Sequence, residues 1–226
     1  MKNYIISRMN IDAGGREEFI AWHRKEHIPG ASGIDGFGSE HRMFESLAIE
    51  SENWTYVPDP EITVVYELAD GVDLDGMAGS SEFGEWQSEL SGRWGEKTDN
   101  VQSILVEQIF GKESPLDYDQ LLIAQMNVEA DREAEFHEWY NEIHIPQAGT
   151  IPGFGEDHRR YKIVPTSGSA PFDGTPVYTA TYEIFEGADI QAGVDSEEYK
   201  AFSGDFLKRW RVGTTDEVST MCRKLA

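Results

Sequence analysis

The chain contains a single cysteine, Cys222, so no disulfide can close within it and no cysteine-based zinc site exists. That scarcity fits a reducing compartment, and the expected location is the cytoplasm. The opening segment MKNYIISRMNID has too short an apolar run for a signal peptide. No stretch approaches the ~18 apolar residues that read as a membrane span. Basic residues are few: 19 Lys and Arg stand against 42 Asp and Glu, a formal charge of -23. Binding to nucleic acid or an anionic membrane needs clustered cations to neutralise phosphates, so both are excluded as expected partners. The acidity reads instead as a solvated surface. Also missing are a P-loop, a Gly-x-Ser-x-Gly elbow and a cysteine-nucleophile motif. Gly36-x-Gly38 lacks the strand–glycine–helix context of a dinucleotide site. Nucleotide chemistry and nucleophilic catalysis are therefore disfavoured, and no cofactor is expected.

What is present occurs twice. Met9-Asn10 returns as Met126-Asn127, Phe19 as Phe136 and Trp22 as Trp139. His27-Ile28-Pro29 returns as His144-Ile145-Pro146, Gly36-Phe37-Gly38 as Gly153-Phe154-Gly155, and His41-Arg42 as His158-Arg159. Each pair is 117 positions apart, and a fixed offset of that size marks a duplicated, domain-sized unit. The expected units are residues 1–112 and 113–226, joined by Gly111-Lys112-Glu113-Ser114-Pro115.

Each unit reads in the same order. The first has strands at 3–11, 36–44, 61–68 and 101–110, with helices at 14–27 and 80–94. The proline at Pro29 is expected to stop the first helix. Phe83, Trp86, Leu90 and Trp94 give the second helix one apolar face, with Ser80 or Ser81 as its cap. The second unit repeats this with strands at 120–128, 154–163, 177–184 and 214–222, and helices at 131–144 and 196–210. Phe136, Trp139, Tyr140 and Ile143 are expected inward. The loops at 51–60 and 165–176 are long enough to suggest lids or irregular excursions. The fold class is thus α+β: two fused ferredoxin-like βαββαβ repeats. One such unit leaves a sheet face bare, and two can close sheet against sheet into an intramolecular α+β barrel.

Trp22-x4-His27-x-Pro29 and Trp139-x4-His144-x-Pro146, each followed by Ile-x-Gly-Phe-Gly, resemble the first-helix signature of EthD-like families in the dimeric α+β barrel superfamily. Ser196-Glu197-Glu198-Tyr199 with Trp210 is similar to their second-helix pattern. The segment from Trp22 to Ala31 also resembles the helix of bacterial chalcone isomerase. The resemblance implies the fold and leaves the chemistry open among lyases, isomerases, dehydratases, cofactor-free monooxygenases, haem enzymes and members without a known reaction. It also implies that the key imidazole sits at His27 or His144.

The residues themselves allow two readings of those histidines. Each continues the buried stripe of its helix, so an imidazole aimed into an apolar cleft can move protons near neutral pH. The plain alternative is a helix cap bonding the last carbonyls. On the strands, His41 and His158 alternate with Arg42 and Arg159, so one of each pair faces inward. Tyr140 beside His144 forms a possible acid–base couple, or is simply core. His23 and His27 have zinc-compatible spacing on one helix face, but the second copy has Tyr140 at that place and no metal is expected. Trp22, His23, Trp139, Phe37 and Phe154 are expected to contact substrate, with core packing as their default alternative.

The leading expectation is a cofactor-independent lyase or isomerase. It would use His27, His144, His41, His158 and Tyr140 as acids and bases on a small hydrophobic, aromatic substrate. The alternatives are a cofactor-free or haem-dependent oxygenase of the same superfamily, and a non-catalytic binder of an aromatic molecule. A homodimer through an exposed helix face is compatible with either.

Overall fold

A computed structural model describes residues 2–113, 117–165 and 176–225. Ten strands are present among them: β1 (Asn3–Ile11), β2 (Phe37–Leu47), β3 (Ile49–Glu50), β4 (Thr55–Tyr56), β5 (Ile62–Leu68), β6 (Thr98–Phe110), β7 (Gln120–Val128), β8 (Phe154–Ile163), β9 (Tyr178–Ile184) and β10 (Thr214–Lys224). Eight of them close an antiparallel barrel in the order β1-β5-β2-β10-β7-β9-β8-β6. The first half contributes β6-β1-β5-β2 and the second β8-β9-β7-β10, so the halves meet at two seams, β2 with β10 and β6 with β8. The helices lie outside. Every residue of β5 is buried because one face meets helices and the other the barrel interior.

Three apolar clusters follow from that layering. One fills the helix side of the first half around Phe19, Trp22, Tyr66, Trp86 and Trp94. A second fills the helix side of the second half around Phe136, Trp139, Tyr182, Phe202 and Trp210. The third lies inside the barrel and takes Tyr4, Ile6, Phe44 and Val106 from the first half, and Leu121, Ile123, Tyr161 and Cys222 from the second. Near its centre, the Arg8 guanidinium donates to Gln125 Oε1 and to Thr220 Oγ1. Arg8 and Gln125 are 117 positions apart, so they occupy equivalent places in the two halves.

The helices are α1 (Arg16–Trp22), α2 (Ile28–Ala31), α3 (Leu74–Ala78), α4 (Ser81–Trp94), α5 (Glu133–Trp139), α6 (Ile145–Ala148), α7 (Ile190–Asp195) and α8 (Glu197–Trp210). Ser80 Oγ accepts from Phe83 N and Ser196 Oγ from Tyr199 N, both at 3.2 Å, which caps α4 and α8. The short α3 and α7, which the apolar periodicity does not reveal, are capped in the same way by Asp73 and Asp189.

The expected stop at Pro29 does not occur. A π turn, residues His23–His27, joins α1 to α2, and its equivalent, Tyr140–His144, joins α5 to α6. Ile28 N reaches back five residues to His23 O, and Ile145 N to Tyr140 O. Proline then falls in the first turn after the wider loop, where its missing N–H leaves no ladder bond broken. The extra residue also rotates the buried face. Ile143, expected inward, is 48% exposed, while His144 is 3% exposed. His27 and His144 are therefore mid-helix residues facing the sheet, and the helix-cap reading does not apply.

The repeat extends further than the offset of 117 shows. Beyond the loop at 51–60 the correspondence continues at 116: Thr63 with Thr179, Tyr66 with Tyr182, Ser80 with Ser196 and Trp94 with Trp210. Asn100 and Asp216, also 116 apart, both take positive φ, at 47° and 53°. The loop expected at 51–60 overlaps the β3–β4 hairpin, which begins at Ile49 and whose Tyr56 joins the core of the second half. In the loop expected at 165–176, residues 166–175 lie outside the described residues, as do Ser114 and Pro115 of the expected linker.

Candidate functional site

In the first half, α1, the first π turn and α4 lie across the outer face of β1, β5 and β6. Between α4 and those strands is a cleft of about 320 Å³, at the lower end of small-ligand sites. His27, Tyr66, Trp86 and Leu90 line it, together with the hydroxyls of Ser7 and Ser103, which bond each other at 2.8 Å. The His27 ring stacks on Trp86 at 4.5 Å and 9°, and Trp22 covers its other side at 4.8 Å. Trp86 Nε1 donates to the His27 carbonyl at 3.1 Å, pinning the π turn to α4.

Burial between two indoles pushes the His27 pKa from 6.5 down to about 4, so the ring is neutral at physiological pH. Its Nδ1 is buried without a hydrogen-bond partner. The Glu89 carboxylate stands 3.7 Å away, too long for a hydrogen bond, and with a neutral imidazole the contact is not an ion pair. It becomes one when His27 takes a proton.

Tyr66 is the residue that the constant-offset comparison misses. Its ring stands 5.4 Å from His41 and 6.5 Å from His27, and its hydroxyl meets His23 Nε2 at 2.6 Å. His23 Nδ1 has no partner, so the tautomer protonated on Nε2 leaves only a lone pair unmet. In that tautomer His23 donates to Tyr66, and the Tyr66 O–H is free to donate into the cleft. Full burial holds the Tyr66 pKa well above 10, so it keeps its proton. The legible signal is a shared Thr-x-x-Tyr-Glu, at 63–67 and again at 179–183.

The other expected residues stand behind this wall rather than in it. His41 bonds Ser32 Oγ at 3.1 Å, and burial lowers its pKa to about 4. Phe37 packs edge-on to Trp86, and Trp22 and His23 form the back of the His27 cage. His23 spends Nε2 on Tyr66, and among the described residues no group of three or more His, Cys, Asp or Glu side chains is arranged to hold a metal.

The second half builds the same cage with different groups. His144 stacks on Phe202 at 4.0 Å and on Trp139 at 4.6 Å. Tyr140 replaces His23, and its hydroxyl bonds that of Tyr182. Burial first, then the charge of Arg160 and the neighbouring His158, drives the His144 pKa well below 6.5. His158 lies 5.3 Å from Tyr182, accepts from Glu183 N at 3.2 Å and has a pKa of about 4. Phe154 belongs to the surrounding core. The cleft beside His144 is only about 40 Å³, because Trp54 and Tyr56 of the first half's β3–β4 hairpin stand in it. Among the described residues no carboxylate pairs with His144: Asp205, at the place of Glu89, accepts from Arg209 instead.

This arrangement is a duplicated barrel whose two outer clefts each hold a caged, neutral imidazole and a tyrosine. No protein-family model matches the sequence, and no curated protein matches it. Solved structures do match. An anthrone oxidase-like protein superposes with a TM-score of 0.61 at 13% identity, covering 100% of this chain and 92% of its own. A candidate monooxygenase from Fusobacterium nucleatum gives 0.55 at 8% identity, covering 100% and 93%. A chlorite dismutase variant from Candidatus Nitrospira defluvii gives 0.55 at 9% identity, covering 100% and 91%. What they share with this chain is the fold, a closed antiparallel barrel with helices outside. At these identities the likeness shows the fold alone. Among the described residues, no helix is long and apolar enough to cross a membrane.

Proposed function

We propose that the chain is a cofactor-independent oxygenase acting on a flat, hydroxylated aromatic substrate in the first-half cleft. Residues 1–112 and 113–226 are read as fused ferredoxin-like units, of which the first carries the chemistry. The observation that carries this reading is the neutral His27 edge in a mostly apolar cleft, with Glu89 beside it and the Tyr66 hydroxyl across from it. The oxidase and monooxygenase names of similarly folded proteins support the reaction class.

Those names favour oxygenation over the lyase or isomerase chemistry expected first. Burial keeps His23, His27, His41, His144 and His158 in the neutral form at pH 7, in which a ring nitrogen can accept a proton. Oxygenation needs one base and a dry chamber. His27 takes a proton from an acidified C–H of the substrate, Glu89 stabilises the imidazolium, and the Tyr66 O–H holds the substrate's oxyanion. The carbanion passes an electron to O₂, and the two radicals combine in a C–O bond. The peroxide takes the proton back from His27. Loss of water, with the second C–H proton, leaves a carbonyl, so CH₂ and O₂ become C=O and H₂O.

A haem does not fit. The cleft beside His144 is about 40 Å³ and the one beside His27 about 320 Å³, both too small for the macrocycle. No step is routed through that group.

The test is oxygen uptake with a polycyclic hydroxyaromatic ketone bearing an acidified CH₂. His27→Gln should lower kcat by ~10²–10⁴-fold while the protein stays folded and retains substrate affinity. Unchanged turnover in that variant overturns the assignment of His27. No oxygen uptake by the wild type, with substrate bound, leaves a binding protein.

A further inference from the structure

The two clefts are lined by equivalent positions, with Ile5 matched by Leu122, Tyr66 by Tyr182, His27 by His144 and Trp86 by Phe202. One is open, and the other is narrowed by Trp54 and Tyr56 from the opposite half, Tyr56 the more deeply buried. Tyr56 is 3% exposed, although it comes from a hairpin of only two residue pairs, Ile49 with Tyr56 and Glu50 with Thr55. Inside the cleft its hydroxyl bonds that of Tyr199. Tyr140, Tyr182 and Phe202 complete the walls, and His144, also in the wall, leaves Nδ1 buried without a partner. That combination is the environment of a phenol ligand: aromatic walls, a hydroxyl to meet its O–H and an unpaired imidazole nitrogen.

The hairpin holding Tyr56 is short, and Ile49 and Trp54 pack with Tyr56 against the second-half core. A two-stranded hairpin has little stability of its own. Its polar ties lie at the rim: Gln191 Nε2 donates to Glu50 O at 2.7 Å, Asn53 Nδ2 to Ser203 Oγ at 3.0 Å and Lys200 O at 3.3 Å, and Lys200 Nζ stands 3.5 Å from Glu52. Of these, the Lys200–Glu52 ion pair is exposed on the Glu52 side and holds little.

We infer that the second-half cleft is a binding site for a para-substituted phenol, and that Tyr56 occupies it as an intramolecular stand-in which such a ligand displaces. The site goes beyond the reaction proposed for the first cleft and does not depend on it. A plug that leaves the cleft open about a tenth of the time raises the apparent Kd about tenfold.

The probe is p-cresol, titrated calorimetrically into the full-length protein, with p-xylene as the ring without a hydroxyl. Tyr56→Ala should bind one more equivalent of p-cresol than wild type, or bind it at least about tenfold more tightly. It should prefer p-cresol to p-xylene, and adding Tyr199→Phe should erase that preference. Oxygen uptake in the first cleft should be unaffected by Tyr56→Ala, and the new binding should survive His27→Gln, which separates this inference from the proposed reaction. A folded Tyr56→Ala that binds no more p-cresol than wild type, or binds p-xylene equally, overturns it. Should Tyr56→Ala not fold, Tyr56→Phe keeps the shape of the plug and loses its hydrogen bond. Tighter p-cresol binding by that variant supports the inference, and unchanged binding overturns it.

Discussion

At the scale of single residues, the behaviour of the molecule is set by imidazoles kept from their protons. His27, His41 and His158 are each shifted from 6.5 to about 4 by burial. The unfolded chain takes up protons as the pH falls below 6.5, and the folded chain does not until about 4. Stability is therefore full above 6.5 and is lost progressively down to about 4, by at most about 3 kcal/mol for each histidine. Urea midpoints between pH 7.5 and pH 5 should fall with pH, in a window above the range where carboxylates titrate. A flat midpoint would mean that the rings are not neutral and buried. Catalysis should share the sign: kcat/KM holds above pH 5 and falls towards pH 4, as His27 becomes protonated and ceases to be a base. Pairing His27 with His144 was legible because both sit in a gapless repeat. Tyr66 was not, because a one-residue difference in the intervening loop moves Tyr182 from 117 to 116 positions away and breaks a constant-offset comparison.

At the scale of elements, strands were read best. β1, β7 and β8 fall where alternation and β-branched residues place them. Helix ends were read worst, since the π turns keep the chain helical through Pro29 and Pro146 and shift which residue faces the sheet. No periodicity rule at 3.6 residues reveals that shift. The repeated Gly-Phe-Gly has a clearer cause. Gly36 and Gly153 take φ of 95° and 86° at the turn into β2 and β8. A Cβ on Gly153 would also stand 3.0 Å from Ala188 Cβ. Gly153→Ala should cost about 1–2 kcal/mol or more, from left-handed backbone strain plus that contact. A thermal melt of the variant checks it, and an unchanged midpoint would show that the turn adopts another conformation.

At the scale of the whole molecule, the closed eight-stranded barrel was anticipated from two units each leaving a bare sheet face, and the shared interior cluster is where those faces meet. The cross-half hairpin was not anticipated, because nothing local in residues 51–60 records which half its aromatic residues will enter. The barrel interior offers a test of how the two halves meet. Gln125→Arg sets a second guanidinium against Arg8, which is 2% exposed and already held below its usual pKa by burial. The cost should be at least about 3 kcal/mol, read as lost cooperative unfolding or a lowered urea midpoint. An unaffected midpoint would mean that water or a counter-ion reaches the interior.

Two separate, identical subunits joined about a twofold axis must present the same residue to itself wherever the axis passes, so an arginine there confronts an arginine. Tandem fusion lifts that obligation. Arg8 can meet an amide at the mirrored station, one chamber can stay open while its counterpart is stoppered, and each half becomes free to drift towards its own task without dragging the other along.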